Sequence, residues 1–288
     1  MKRRVLAALA ALTLGMGMLA AGAASPATAA SSPPVAKYVA LGDSIGAGQG
    51  GGMPLDACAR TDGGYAAQLD QAPKFNLLRN AACTGATIAD VQAQLSQLNR
   101  GTTVVTLTVG ANDLGLDQVY AACAAVPAGG DLGACLGAVQ GTVDAAPDLV
   151  EPLAMLIAGM AQRAPNAALV VTGYPRLLQP VDVGSCAQVA PVEQCLALGS
   201  LAFAVTGATD ALDGAIAAAA ALAAAHGAHA VFADVVPAFL GHGVQLVPGL
   251  PSDPWFGTDP VNDPAGFLHP NHAGYAAYTQ VILAKLGR

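Results

Sequence analysis

The chain of 288 residues is 54% apolar and only 11% charged, with 34 glycines and 19 prolines. That composition excludes a disordered chain, which needs low hydrophobicity and high charge. Twelve basic residues against 19 acidic ones, a net charge of −7, argue against a nucleic-acid or anionic-membrane partner, because both select a basic face.

The first thirty residues stand apart. Met1-Lys2-Arg3-Arg4 is a positive stretch, residues 5–14 are apolar, and Ala27-Thr28-Ala29 is a small-x-small cleavage site. Together these read as a secretory signal peptide over 1–30, leaving one exported, acidic domain over 31–288. No later segment reaches the roughly 20 uninterrupted apolar residues of a bilayer span. The alanine-rich run at 214–225 reads instead as the end of a packed helix closed by Gly227.

Within the exported part, short apolar runs at 38–41, 75–78, 103–109, 168–172 and 230–233 read as strands. Helical stretches are expected at 64–70, 87–98, 146–163, 198–225 and 273–286. Strands that are nearly all apolar belong to a sheet covered on both faces. The alternation of strand and helix predicts a parallel sheet with right-handed crossovers, an α/β/α sandwich of five strands with flavodoxin-like order. Ligands of such sheets sit beyond the carboxyl ends of the strands. One segment, 237–270, is dense in Pro and Gly without periodicity; so long a loop in a compact domain is often functional.

All six cysteines lie in the exported part: Cys58, Cys83, Cys123, Cys135, Cys186 and Cys195. An even count outside the cytoplasm reads as three disulfides. Six cysteines allow 15 pairings, but these arrive as three local pairs, and sequential pairing is the expectation. The absence of any Cys-x-x-Cys argues against a zinc site.

The first strand ends in Gly42-Asp43-Ser44-Ile45-Gly46, which fits the G-x-S-x-G pattern of an α/β-hydrolase elbow. Position rejects that assignment, because several strands should precede such an elbow and here the serine follows the first. A trypsin-like order of His, Asp, Ser is rejected too, since every histidine lies downstream of Ser44. A Gly-Ser turn with no chemistry is the bland reading of this motif taken alone.

Three further blocks follow the motif in order. Cys83-Thr84-Gly85-Ala86 comes after the second strand, Gly110-Ala111-Asn112-Asp113 after the third, and His269-Pro270-Asn271 near the end. With Gly42-Asp43-Ser44 they resemble the ordered blocks of the SGNH (GDSL) hydrolase family over residues 38 to 286. The three local cysteine pairs look like those of its secreted lipases and esterases from high-GC bacteria. Each block is short, but four in order at strand ends form a specific pattern.

The resemblance implies ester hydrolysis through a serine acyl-enzyme. A serine hydroxyl needs a base to take its proton, and histidine suits neutral pH. Of five histidines, His226 and His229 flank a helix end, and His242 lies in the Gly/Pro-rich loop. His269 and His272 are three apart, a spacing that a metal pair also uses. His269 matches the family's base and general acid, whereas His272 is expected on the outer face of the last helix. The implied oxyanion donors are the Ser44 and Gly85 backbone N–H groups and the Asn112 amide. Asn112-Asp113 taken alone would read as a helix cap, and Asp43 is expected to shape the turn.

One departure from the family pattern is visible. Its usual aspartate three residues before the histidine is replaced by Gly266, with Asp263 six residues before. Some secreted members use a backbone carbonyl there, which predicts a Ser-His dyad with the Gly266 carbonyl on His269 Nδ1 and Asp263 as the rival partner. Trp255, Phe256 and Phe267 are expected to wall the acyl pocket. The whole reads as a secreted, monomeric lipase or esterase acting on a small-molecule or lipid ester, with no cofactor, metal, nucleic-acid or integral membrane partner. Carbohydrate (acetyl) esterase and phospholipase are the rival enzymes on this machinery, and a binding module on a dead scaffold is the rival from another class.

Overall fold

The computed structural model describes residues 34–288, so the signal peptide expected at 1–30 lies outside the described residues. Five parallel strands form one sheet, β1 (Ala36–Gly42), β2 (Phe75–Asn80), β3 (Val104–Thr108), β4 (Ala168–Thr172) and β5 (Ala230–Ala233), in the order β2-β1-β3-β4-β5. This is the expected α/β/α architecture, and all five strands fall where the apolar runs place them. Every residue of β3 is buried, and in β1 only Lys37 is exposed. The edge strands are mixed, with Leu78 and Val231 facing solvent. Central strands covered on both faces thus account for the unbroken apolar runs.

The helices are α1 (Ser44–Ala47), α2 (Tyr65–Asp70), α3 (Ile88–Gln94), α4 (Leu116–Cys123), α5 (Leu132–Ala145), α6 (Val150–Arg163), α7 (Val183–Cys186), α8 (Val192–Ala225) and α9 (His272–Lys285). Four of them, α1, α4, α5 and α7, lie outside the expected helical stretches. Gly133, Gly137 and Gly141 interrupt α5 with residues that disfavour helix. Its start was nevertheless marked: Asp131 caps it, accepting from the Gly133 and Ala134 N–H groups at 2.8 and 3.2 Å.

The last long helix also differs from expectation. α8 has 34 residues, starts six residues earlier than predicted and, by length and composition, could cross a membrane. At 1.5 Å per residue it runs about 51 Å, far longer than the strands it flanks. Here it packs against α5, α6 and β5, burying Leu198, Leu201, Leu212 and Ile216. The polar Thr206, Thr209, Asp210 and Asp213 interrupt its apolar run.

Three disulfides join Cys58 to Cys83, Cys123 to Cys135 and Cys186 to Cys195, the sequential pairing. The second ties α4 to α5 and the third ties α7 to α8. Segment 237–270 folds back on itself through isolated bridges Phe256–Pro270 and Gly257–Phe267. These bridges deliver His269 to the carboxyl edge of the sheet.

Candidate active site

β1 leaves the sheet at Gly42, whose register partner on β3 is Thr108. A β-carbon on Gly42 would lie 2.1 Å from the Thr108 carbonyl oxygen, so only glycine allows the two strand ends to approach. The Gln94 side chain of α3 grips the same residue in both directions. Its Oε1 accepts from Gly42 N–H at 2.8 Å and its Nε2 donates to the Gly42 carbonyl at 2.9 Å. Gln94 was not singled out from the sequence, because a polar residue on a helix reads as solvated.

The next residue, Asp43, caps α1 by accepting from Ile45 N–H at 2.9 Å, and it accepts a second hydrogen bond from the Tyr174 hydroxyl. Its carboxyl is only 1% exposed, and burial raises its pKa to about 7. Asp43 therefore shapes the turn, as expected. Ser44 follows as the first residue of α1 and stays partly accessible.

His269 Nε2 lies 3.0 Å from Ser44 Oγ, across 225 residues of sequence. His269 Nδ1 lies 3.0 Å from the Phe267 carbonyl oxygen. With the proton on Nδ1 donated to that carbonyl, Nε2 is left to accept from the serine hydroxyl. The expected Gly266 carbonyl is a correction by one residue. In this tight turn the Gly266 carbonyl accepts the backbone N–H of His269 at 3.0 Å and is thereby occupied. Asp263 is exposed and accepts from Gly266 N–H at 2.9 Å, so it braces the turn and makes no hydrogen bond to the imidazole. Burial lowers the His269 pKa below the usual 6.5, opposed by the Phe267 carbonyl and the Asp263 charge.

Two neighbouring contacts hold the histidine segment. Gln49 Nε2 donates to the Ala265 carbonyl at 2.7 Å, tying the chain after Ser44 to the chain before His269. Asn271 caps α9 through the Ala273 and Gly274 N–H groups at 3.0 and 3.1 Å. Leu268, immediately before the histidine, adopts φ +58°, a costly conformation for a leucine and one that occurs at functional sites.

Gly85 and Asn112 converge on the same rim, and with Ser44 and His269 they border one cavity of about 300 Å³. Gly85 has φ +75° with open space where a side chain would go, so its requirement is backbone conformation rather than room. The Cys58–Cys83 bridge lies two residues away. Asn112 Nδ2 donates one proton to the Ala86 carbonyl at 2.9 Å, which fixes the amide plane and leaves its second N–H to donate. Asp113 instead accepts the first N–H of α3, both oxygens 3.1 Å from Ile88 N, beside the Thr87–Asp90 capping box.

The far wall of the cavity is not the expected loop. Phe256 does line it, but Trp255 stacks on the His242 ring at 3.6 Å and, with Phe267, contributes no wall. The apolar lining comes from Leu116 and Val119 of α4 and from Val205, Ala208 and Leu212 of α8. Thr142 and Thr209 also face it, each hydroxyl bonded to the carbonyl four residues back in its own helix, at 3.3 and 3.2 Å. His226, His229 and His272 are exposed, the last as the first residue of α9.

Comparison with known proteins identifies the family. A model of the GDSL-like Lipase/Acylhydrolase family matches residues 40–277, and the chain belongs to that family. Lipase 1 of Streptomyces coelicolor is 34% identical over 169 residues, covering 55% of this chain and 61% of that protein. A lipase of Streptomyces rimosus is 34% identical over 176 residues, covering 59% and 63%. The chain thus spans about three fifths of these lipases. Among solved structures, phospholipase A1 from Streptomyces albidoflavus superposes with a TM-score of 0.70 at 30% identity, covering 87% of this chain and 99% of that one. The extracellular lipase of Streptomyces rimosus gives 0.69 at 29% identity, covering 86% and 99%. The family resemblance drawn from four short blocks is borne out, as is the likeness to secreted lipases of high-GC bacteria drawn from the three local cysteine pairs.

Proposed function

We propose that this protein is a secreted carboxylic ester hydrolase in which Ser44 and His269 form a catalytic dyad. The observation that carries the reading is the 3.0 Å contact between His269 Nε2 and Ser44 Oγ, with Nδ1 held by the Phe267 carbonyl.

His269 takes the Ser44 hydroxyl proton as Oγ attacks the ester carbonyl carbon. The carbonyl oxygen becomes an oxyanion and receives the N–H groups of Ser44 and Gly85 and the free N–H of Asn112. Donors aimed at charge that develops only in the transition state lower the barrier to the step. His269 then returns its proton to the departing alkoxide as the C–O bond breaks, leaving an acyl-serine and a free alcohol. Water repeats the sequence: its proton goes to His269, the tetrahedral intermediate collapses, and the acid leaves while Ser44 regains its proton.

The apolar cavity beyond the oxyanion donors suits an acyl chain, because its polar groups cluster at the reacting end. The signal-peptide pattern, the three disulfides and the extracellular lipase neighbour support export. The likeness to phospholipase A1 favours one second reading, a phospholipid as the ester.

A series of p-nitrophenyl acyl esters of graded chain length, with a diacyl phosphatidylcholine and acetyl-xylan alongside, tests the proposal. Ser44→Ala should abolish turnover and labelling by an organophosphonate probe. Full labelling of the variant would remove Ser44 as the nucleophile, and a wild-type chain inert on every ester would leave only a binding scaffold.

A further inference from the structure

Beyond the reacting groups, one side chain touches both of the segments that present them. Tyr174 stands just past the carboxyl end of β4, is 8% exposed and borders the catalytic cavity. Its hydroxyl donates to the Asp43 carboxylate, one residue before the nucleophile. The same oxygen accepts the Ala111 N–H at 3.4 Å, one residue before the carboxamide donor. We propose that Tyr174 is a positioning residue whose single hydroxyl sets the spacing between Ser44 and Asn112.

The tyrosine is itself held. Its backbone N–H donates to Asp213 Oδ1 at 2.8 Å, which ties the strand exit to α8. The residue before it, Gly173, gives its carbonyl to the Tyr278 hydroxyl at 2.9 Å. The hydroxyl is therefore a fixed point with two arms, one reaching the end of β1 and the other the end of β3. A phenylalanine would fill the same volume but would release both arms and leave an Asp43 oxygen buried without a donor. Displacing reacting groups by fractions of an ångström is enough to slow chemistry strongly.

The proposal rests on the ester-hydrolase reading above, and its test separates the two. Tyr174→Phe is assayed on a short and a long p-nitrophenyl ester, with active sites counted by organophosphonate titration. We expect kcat to fall by about 10- to 10²-fold on both esters with KM nearly unchanged. Combined with Asn112→Ala, the loss should be smaller than the product of the two single losses, as for groups acting as one unit. A KM that rises only for the long ester, with kcat kept, would reduce Tyr174 to a cavity wall and overturn the proposal. A lower thermal midpoint with wild-type kcat per titrated site would reduce it to a structural residue, with the same consequence.

Should Tyr174→Phe fail to fold, Asp43→Ala is the second variant, because it removes the carboxylate to which the tyrosine donates, the loss of the Ile45 cap being read separately from the thermal midpoint. It should show the same kcat loss, and wild-type turnover would overturn the tether. Ser44→Ala runs in parallel. Turnover by it would remove Ser44 as the nucleophile and a wild-type chain inert on both esters would remove the hydrolase reading, whereas a dead Ser44→Ala beside a fully active Tyr174→Phe would remove the tether alone.

Discussion

The Phe267 carbonyl oxygen occupies the place beside His269 Nδ1, at 3.0 Å, where the family's usual partner is a carboxylate. A carbonyl orients the ring and fixes the tautomer as a carboxylate does, but it adds no full negative charge to stabilise the imidazolium formed during attack.

Asp263→Asn should therefore change kcat by less than about tenfold, measured on a soluble ester at saturating substrate. Amidation of a true triad aspartate costs about 10⁴-fold. A loss of that size would assign the carboxylate to the machinery and discard the dyad.

The pH dependence follows from the direction of the His269 shift. Burial lowers this pKa below 6.5, and the base works only when neutral. The acid limb of kcat/KM should thus have its midpoint below 6.5, read from a profile between pH 4 and 8. Asp263→Asn should move the midpoint lower still, since the Asp263 charge holds it up. A midpoint above 6.5 would contradict the burial argument.

Asn112→Ala should lower kcat by about 10²–10³, the cost of one missing oxyanion donor, with KM little changed. The thermal midpoint should change little, because the variant loses one hydrogen bond, to the Ala86 carbonyl. An unchanged rate would return Asn112 to a capping role.

Stability should depend on pH through two buried carboxyls that the chemistry does not consume. Burial raises the pKa of Asp43 to about 7 and that of Asp213 to about 8. Both values lie above the unfolded 3.8, so the folded chain binds more protons between pH 4 and 8, and stability falls as pH rises through that window. Among the described residues Asp213 Oδ2 has no hydrogen-bond partner, so the Tyr174 N–H on Oδ1 and the Arg176 charge only partly offset the burial of its charge when the group ionises. Asp213→Asn should raise the thermal midpoint at pH 8 relative to wild type and flatten the pH slope. A variant less stable than wild type at pH 8 would refute this.

Much of the candidate site's rim is legible because each of its groups lies beside a punctuation mark. Ser44, Gly85 and Asn112 each follow an apolar strand, and His269 precedes the Pro270-Asn271 start of a helix. What escaped was decided by tertiary packing. The partner of Nδ1 was off by one residue, because a tight turn chooses between adjacent carbonyls by geometry that spacing does not encode. The cavity wall was assigned to aromatic loop residues, but Trp255 is engaged with His242, and aliphatic side chains from α4 and α8 close the space. Gln94 and Tyr174 gave no local signal, since their importance lies in strand ends that meet only in the fold.

The apolar lining of the cavity comes from α4 and α8, while Ser44, Gly85, Asn112 and His269 sit at the sheet rim and its loops. Under the proposed reading, substitutions in α4 or α8 alter the apolar lining without touching Ser44 or His269. The shape of the cavity and the geometry of its rim are thus set by different stretches of the chain.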